Sequence, residues 1–323
     1  MWDGPIPGLH DVFLARRRIA PYLNPTPTIA PPALERRLGL PLSLKLENLQ
    51  PIGAFKVRGG INLLAEERQA LAGRTVYAAS TGNHGQSVAY AAHVFGLPAV
   101  IYAPAEANPL KVESMQALGA RVVLQGADFD EAREACEAEA LSAEGRYVHS
   151  MNEPLLIAGV GTLYLEAMEA LPDLDVIVVP VGGGSGLAAA GLVAKTINPA
   201  IRVIGVQARG APAFYRAFAS GALESTETAA TAAEGLATRT VFPLPLMMAR
   251  RYVDEIVLVS DDEMHEAMRT LLETAHVVAE MAGAASVAAA TRLAPELAGQ
   301  RVLAVISGGN ATLPQLQALF AAP

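Results

Sequence analysis

Between Thr75 and Ala105 the chain contains no Asp, Glu, Lys or Arg, and Val176–Ala194 is equally free of formal charge. An apolar stretch of about 20 residues is long enough to cross a bilayer, so each run must either span a membrane or lie buried in a protein core. The first run contains Ser80-Thr81-Gly82-Asn83-His84-Gly85-Gln86, and the second contains Pro180 and Gly182-Gly183-Gly184. Polar and helix-breaking residues at mid-span fit a buried strand, a loop and a buried helix. No membrane partner is expected.

The same succession recurs on either side. Strand patterns at Val76–Ala79, Ala99–Tyr102, Arg121–Leu124 and Tyr147–His149 alternate with helical ones at Gln86–Phe95, Pro109–Leu118 and Phe129–Ala140. Gly119 closes the second of these helices. A later series has strands at Val176–Val181, Val203–Val206, Ile256–Val259 and Val302–Ile306, with helices at Leu187–Lys195 and Ala213–Phe218. Ser260 with Glu263 has the spacing of a capping box and opens a helix through Glu273. Alternating strands and helices predict right-handed βαβ crossovers and parallel sheets, hence an α/β protein. The expected division is a small inserted α/β domain over residues 72–152 and a large domain from 1–71 with 153–323. Ser220–Leu246 carries no assignable pattern.

Composition removes several function classes. With 24 basic against 32 acidic residues the net charge is -8, which argues against binding nucleic acid through its phosphates. The single cysteine, Cys136, rules out an intrachain disulfide and any CxxC zinc site. The start of the chain has no basic segment followed by an apolar one, so a cytoplasmic location is expected. There is no GxSxG elbow, HExxH or Walker A motif, and Leu187 and Ala189 spoil a dinucleotide GxGxxG. The histidines lack metal-ligand spacing, and His93 and His276 sit in helical patterns as structural residues.

Three glycine-rich loops follow apolar strands: Ser80–Gln86, Gly182–Gly186 and Ser307–Asn310. Open parallel sheets bind ligands beyond the carboxyl ends of their strands. Gly182-Gly183-Gly184-Ser185-Gly186 ahead of a helix suits a phosphate, because backbone amides and the helix dipole both favour an anion. Tight strand–helix packing is the alternative. Only four lysines exist. Lys195 ends a helix, Lys111 lies in a first turn facing solvent, and Lys45 alternates with leucines toward an exposed face. Lys56 differs, because Gly53-Ala54-Phe55-Lys56-Val57-Arg58-Gly59 places it where a loop enters a helix. A desolvated lysine there has a depressed pKa and attacks carbonyls; a surface lysine in a turn is the other possibility. One special lysine and one phosphate cradle together suggest a phosphate-bearing aldehyde cofactor.

The ordered motifs Leu46–Pro51 with Phe55–Gly59, Ser80–Gln86, Ile157–Thr162, Pro180–Gly184 and Ser307–Asn310 resemble the fold-type II pyridoxal-phosphate enzymes, specifically serine/threonine dehydratases and serine racemases. The resemblance implies two open, mostly parallel twisted sheets flanked by helices, as in the tryptophan synthase β-like fold. It also implies pyridoxal 5'-phosphate as cofactor and a homodimer. Lys56 would form the Schiff base, with Phe55 beside the cofactor and Gly182, Gly183, Gly184, Ser185 and Gly186 around its phosphate. Asn83 would bond the pyridine 3-oxygen, and Ser307 the ring nitrogen. Ser80, Thr81, Gly82, Asn83 and His84 would hold the substrate carboxylate, and Glu280 would stand near the cofactor. Thr81 occupies the position of the second-face acid/base serine of the racemases. Some relatives bind a divalent cation after the strand matching Val203–Val206, but Gln207–Ala213 carries no carboxylate, so no metal is expected. The implied activity is dehydration and deamination of L-threonine or L-serine to a 2-oxo acid and ammonia. A serine or aspartate racemase, a dehydratase for a bulkier 3-hydroxy amino acid, and a non-catalytic amino-acid sensor are the rivals.

Overall fold

The computed structural model describes residues 2–321. Its strands are β1 (Thr28–Ile29), β2 (Leu42–Leu46), β3 (Val76–Ala79), β4 (Ala99–Ala103), β5 (Arg121–Leu124), β6 (Arg146–Tyr147), β7 (Val176–Pro180), β8 (Arg202–Ala208), β9 (Glu255–Val259) and β10 (Val302–Ile306). Six form one sheet in the order β1-β2-β10-β7-β8-β9, parallel except at β1. The other four form a wholly parallel sheet, β5-β4-β3-β6. The expected α/β architecture of two open sheets flanked by helices is what the chain adopts. Both uncharged runs are buried strand–loop–helix units: β3 leads to helix Asn83–Phe95, and β7 to helix Ser185–Ile197. Among the described residues no helix is long and apolar enough to cross a membrane.

The central strands β7 and β10 are apolar, rich in β-branched residues and buried almost throughout, as strands covered by helices on both faces must be. That double cover overturns one expectation. Lys45 in β2 was expected on an exposed face, yet it is 0% exposed. Alternation along a strand tells which face a side chain takes, but not whether that face meets water.

Three local departures have equally local causes. The strand expected over Tyr147–His149 ends at Tyr147, because His149 Nδ1 accepts from the amides of Met151 and Asn152, both at 3.0 Å, and turns the chain. His276 is not inside a helix but closes Asp261–Ala275 in the left-handed conformation, φ 55°. Segment 220–246 is mostly irregular, with one short 3-10 turn at Glu234–Leu236 before helix Pro243–Tyr252. The Ser260 capping box forms as expected, with reciprocal bonds of 2.6 and 3.2 Å to Glu263.

Helix Lys56–Glu67 lies between helices Asn83–Phe95 and Pro154–Ala170. Contact is close because Gly60 leaves room for Ser87, whose hydroxyl donates to the Lys56 carbonyl at 2.6 Å. The start of that helix is thereby tied to the helix that follows β3.

Candidate active site

Lys56 is the first residue of its helix, and the loop before it is fastened to the loop after β10. The Phe55 amide donates to the Ser307 carbonyl at 3.0 Å, Ala54 and Gly308 form an antiparallel bridge, and the Gly309 amide donates to Gly53 at 2.9 Å. Asn310 Nδ2 adds a bond to the Ile52 carbonyl at 2.8 Å. These bonds bring Ser307 beside the lysine from the far end of the chain. Lys56 Nζ then reaches Ser185 Oγ at 3.2 Å and the Ser150 carbonyl at 3.4 Å. Its tip therefore sits where the glycine run enters its helix.

The run itself is a cradle of backbone. Gly184 caps helix Ser185–Ile197 at φ +91°, where an L side chain is strained, and a Cβ there would strike the Phe214 ring. Side chains at Gly182 and Gly183 would run into the Gly235 carbonyl and Met151 Sδ. No side chain caps this helix, so the amides of its first turn are left for a ligand. Gly186 is the second residue of that helix, so its amide is among those left free, while its carbonyl accepts from Tyr164 Oη at 3.0 Å.

Opposite the cradle, Asn83 Nδ2 donates to Glu280 Oε1 at 2.8 Å, and Asn83 Oδ1 accepts from Asn310 Nδ2 at 2.7 Å. Glu280 is buried, and burial pushes its carboxyl up despite the Asn83 bond and the charge of Lys111. In the preceding loop, Ser80 Oγ accepts from the Gly82 amide at 3.0 Å, while Thr81 is exposed. His84 Nε2 meets the Val148 carbonyl at 3.0 Å instead of facing the loop. Burial, with the Lys56 charge adding to it, pulls His84 down to about 3. Its side chain is thus neutral at physiological pH. Of the sequence-derived set, Phe55, Lys56, Asn83, the Gly182–Gly186 turn, Ser307 and Glu280 are gathered; Thr81 is exposed and the His84 ring turns to Val148.

Two features escaped sequence reasoning. Lys111 was expected to face solvent, yet its side chain is 11% exposed and paired with Glu234. Nothing in the patternless segment around Glu234 signals that meeting. The second is a buried ionic quartet behind Lys56. Arg58 binds Glu47 at 2.7 and 2.8 Å and Glu166 at 2.6 and 2.8 Å, and Lys45 binds Glu166 at 2.6 Å. Burial would lower the Arg58 guanidinium pKa and raise that of Glu166, but their mutual contacts keep both charged.

Burial pushes Lys56 down to about 8. Below that value the ammonium is not nucleophilic, and above it the free amine is. At pH 7 about a tenth is neutral, about 300-fold more than for a lysine at its ordinary value. Labelling of Lys56 in cofactor-free protein by a small aldehyde and borohydride should therefore rise through about pH 8. A midpoint above 10, read by peptide mass spectrometry, would contradict the burial argument.

The sequence pattern of the family described as "Pyridoxal-phosphate dependent enzyme" matches residues 19–308. The chain belongs to that family. It is 41% identical to an L-threonine ammonia-lyase of Thermotoga maritima, over 94% of this chain and 75% of that protein. It is 35% identical to the Escherichia coli L-threonine dehydratase catabolic TdcB, over 98% of this chain and 96% of the relative. Among solved structures, the threonine deaminase of T.th. superposes with a TM-score of 0.89 at 34% identity, covering 95% of this chain and 99% of that one. As a member of this family the protein uses pyridoxal phosphate, and the residues present fit that group. Lys56 offers an amine near neutrality for the aldehyde, and Gly182–Gly184 with the uncapped helix start offer amides where any Cβ would intrude. Ser307 and Asn83 lie on loops that close on the same space.

Proposed function

We propose that this enzyme is an ammonia-lyase that removes the β-hydroxyl and the amino group of L-threonine or L-serine, releasing a 2-oxo acid and ammonia. The observation that carries it is the Lys56 amine, held 3.2 Å from Ser185 where the cradle enters its helix, in a chain so similar to L-threonine ammonia-lyases. When bound, the cofactor supplies an electron sink for charge at the substrate Cα. The amides from Gly184 to Leu187 would hold its phosphate. Lys56 Nζ carries the proton at the substrate Cα, a task suited to an amine near pH 8. The Gly82 turn and the start of helix Asn83–Phe95 hold the substrate carboxylate at the positive end of the helix dipole. Ser307 offers the ring nitrogen a hydroxyl in place of a carboxylate, so it does not keep that nitrogen protonated. Charge at Cα is then short-lived, and prompt loss of the β-substituent is favoured over transamination.

The exposed Thr81, with no partner among the described residues to orient its hydroxyl, weighs for a lyase over a racemase. The reading carries a cytoplasmic homodimer, as the family resemblance implies. Cofactor-loaded protein given L-threonine should release 2-oxobutanoate and ammonia in equal amounts. Rapid inversion without keto acid, seen by chiral chromatography, would replace the lyase with a racemase. Protein that takes up no cofactor would favour a non-catalytic sensor.

A further inference from the structure

The Lys111–Glu234 pair has no part in the chemistry above, yet it stands over the site. A Cβ built on Gly82 would lie 3.5 Å from Lys111 Nζ, so the ammonium rests on the 80–84 loop. Glu234 arrives from the other side, at the head of the turn whose next residue, Gly235, lays its carbonyl against Gly182 of the cradle. The pair therefore spans the space between the carboxylate loop and the cradle. Both partners are close enough to act on the Glu280 carboxyl, Lys111 drawing its pKa down and Glu234 raising it. Of the other cations on this side, Arg133 acts on His149 and is held by Glu137 at 2.9 Å, Glu134 at 3.5 Å and Asp130 at 3.7 Å, and Arg239 is held by Asp128 at 2.9 Å and Asp130 at 2.6 Å.

We propose that this ion pair sets the charge of the side chain the site accepts: Glu234 occupies Lys111 and so restricts the enzyme to neutral 3-hydroxy amino acids, excluding those with a second carboxylate. The inference rests on the lyase reading and narrows its substrate class. A hydroxymethyl or hydroxyethyl group makes no demand on Lys111. A second carboxylate finds that cation already neutralised and meets the repulsion of Glu234. Specificity then comes from an unfavourable encounter with the wrong substrate, with no added contact to the right one.

Aspartate and asparagine are nearly isosteric and differ by one charge, so their dissociation constants for the cofactor-loaded enzyme, read from the change in its visible spectrum, isolate the effect. The unaltered enzyme should bind asparagine at least tenfold more tightly than aspartate. Glu234→Gln should move that ratio tenfold or more toward aspartate, and adding Lys111→Gln to it should erase the gain. A ratio in Glu234→Gln within twofold of the parent overturns the proposal. Should that variant bind neither amino acid, Lys111→Gln alone decides. With Glu234 no longer neutralised, aspartate must weaken tenfold or more relative to asparagine, and an unchanged ratio again overturns it. Ammonia release from threonine by the unaltered enzyme separates the two ideas. Its absence removes the lyase reading, whereas release with an unmoved ratio removes only the role of the pair.

Discussion

Alanine at Lys56 is expected to reduce ammonia release from L-threonine by at least about 1000-fold and to abolish the borohydride-reducible cofactor adduct. On the proposed reading one amine would both attach the cofactor and carry the Cα proton, so its loss would remove two functions together. No other lysine can stand in. Lys45 is buried against Glu166 at 2.6 Å, Lys111 is paired with Glu234, and Lys195 ends its helix on Asp254 at 2.8 Å. Lys56→Arg should fail as completely, because a guanidinium stays protonated at any working pH and cannot exchange a proton with Cα. Steady-state turnover and mass spectrometry of the reduced protein check both variants. Turnover within tenfold of the parent, or a cofactor label on another lysine, would end the assignment.

Arg58→Leu is expected to be the most damaging substitution for stability, costing about 3–5 kcal/mol in urea unfolding. Glu47 is 0% exposed and would lose both guanidinium bonds, keeping the Thr26 hydroxyl at 2.6 Å. A buried charge left without its counter-ion is what makes the single substitution so costly. Leucine at both positions 47 and 58 should recover much of the loss, since no charge is left stranded and Lys45 still neutralises Glu166. A double variant no more stable than Arg58→Leu alone would show that Glu47 does not bear the cost. Because Arg58 lies two residues beyond Lys56, in the first turn of the same helix, the single variant should also loosen the reactive amine.

Lys56 was legible in the sequence because local chemistry marks it: one of four lysines, among glycines, at the start of a helix. The cradle was legible for a similar reason, since three adjacent glycines after a β-branched strand have few other uses. Lys45 was misread because strand alternation gives the direction of a side chain without saying what covers it. Lys111 was misread because its partner sits in a segment without periodicity, and nothing local to either residue announces the other. The Asn83–Glu280–Asn310 contacts join three loops far apart along the chain, and only the crossovers bring them together.

Burial periodicity and backbone stereochemistry act over a few residues, and they determined the α/β class and the order of strands and helices along the chain, and marked Lys56 and the glycine run as candidates. Which charges meet was decided by the tertiary structure: Arg58 with Glu47 and Glu166, Lys111 with Glu234, Asn83 with Glu280. A charged side chain taken out of water must find its counterpart wherever the fold delivers one, and that distance is set by how the two sheets and their loops pack.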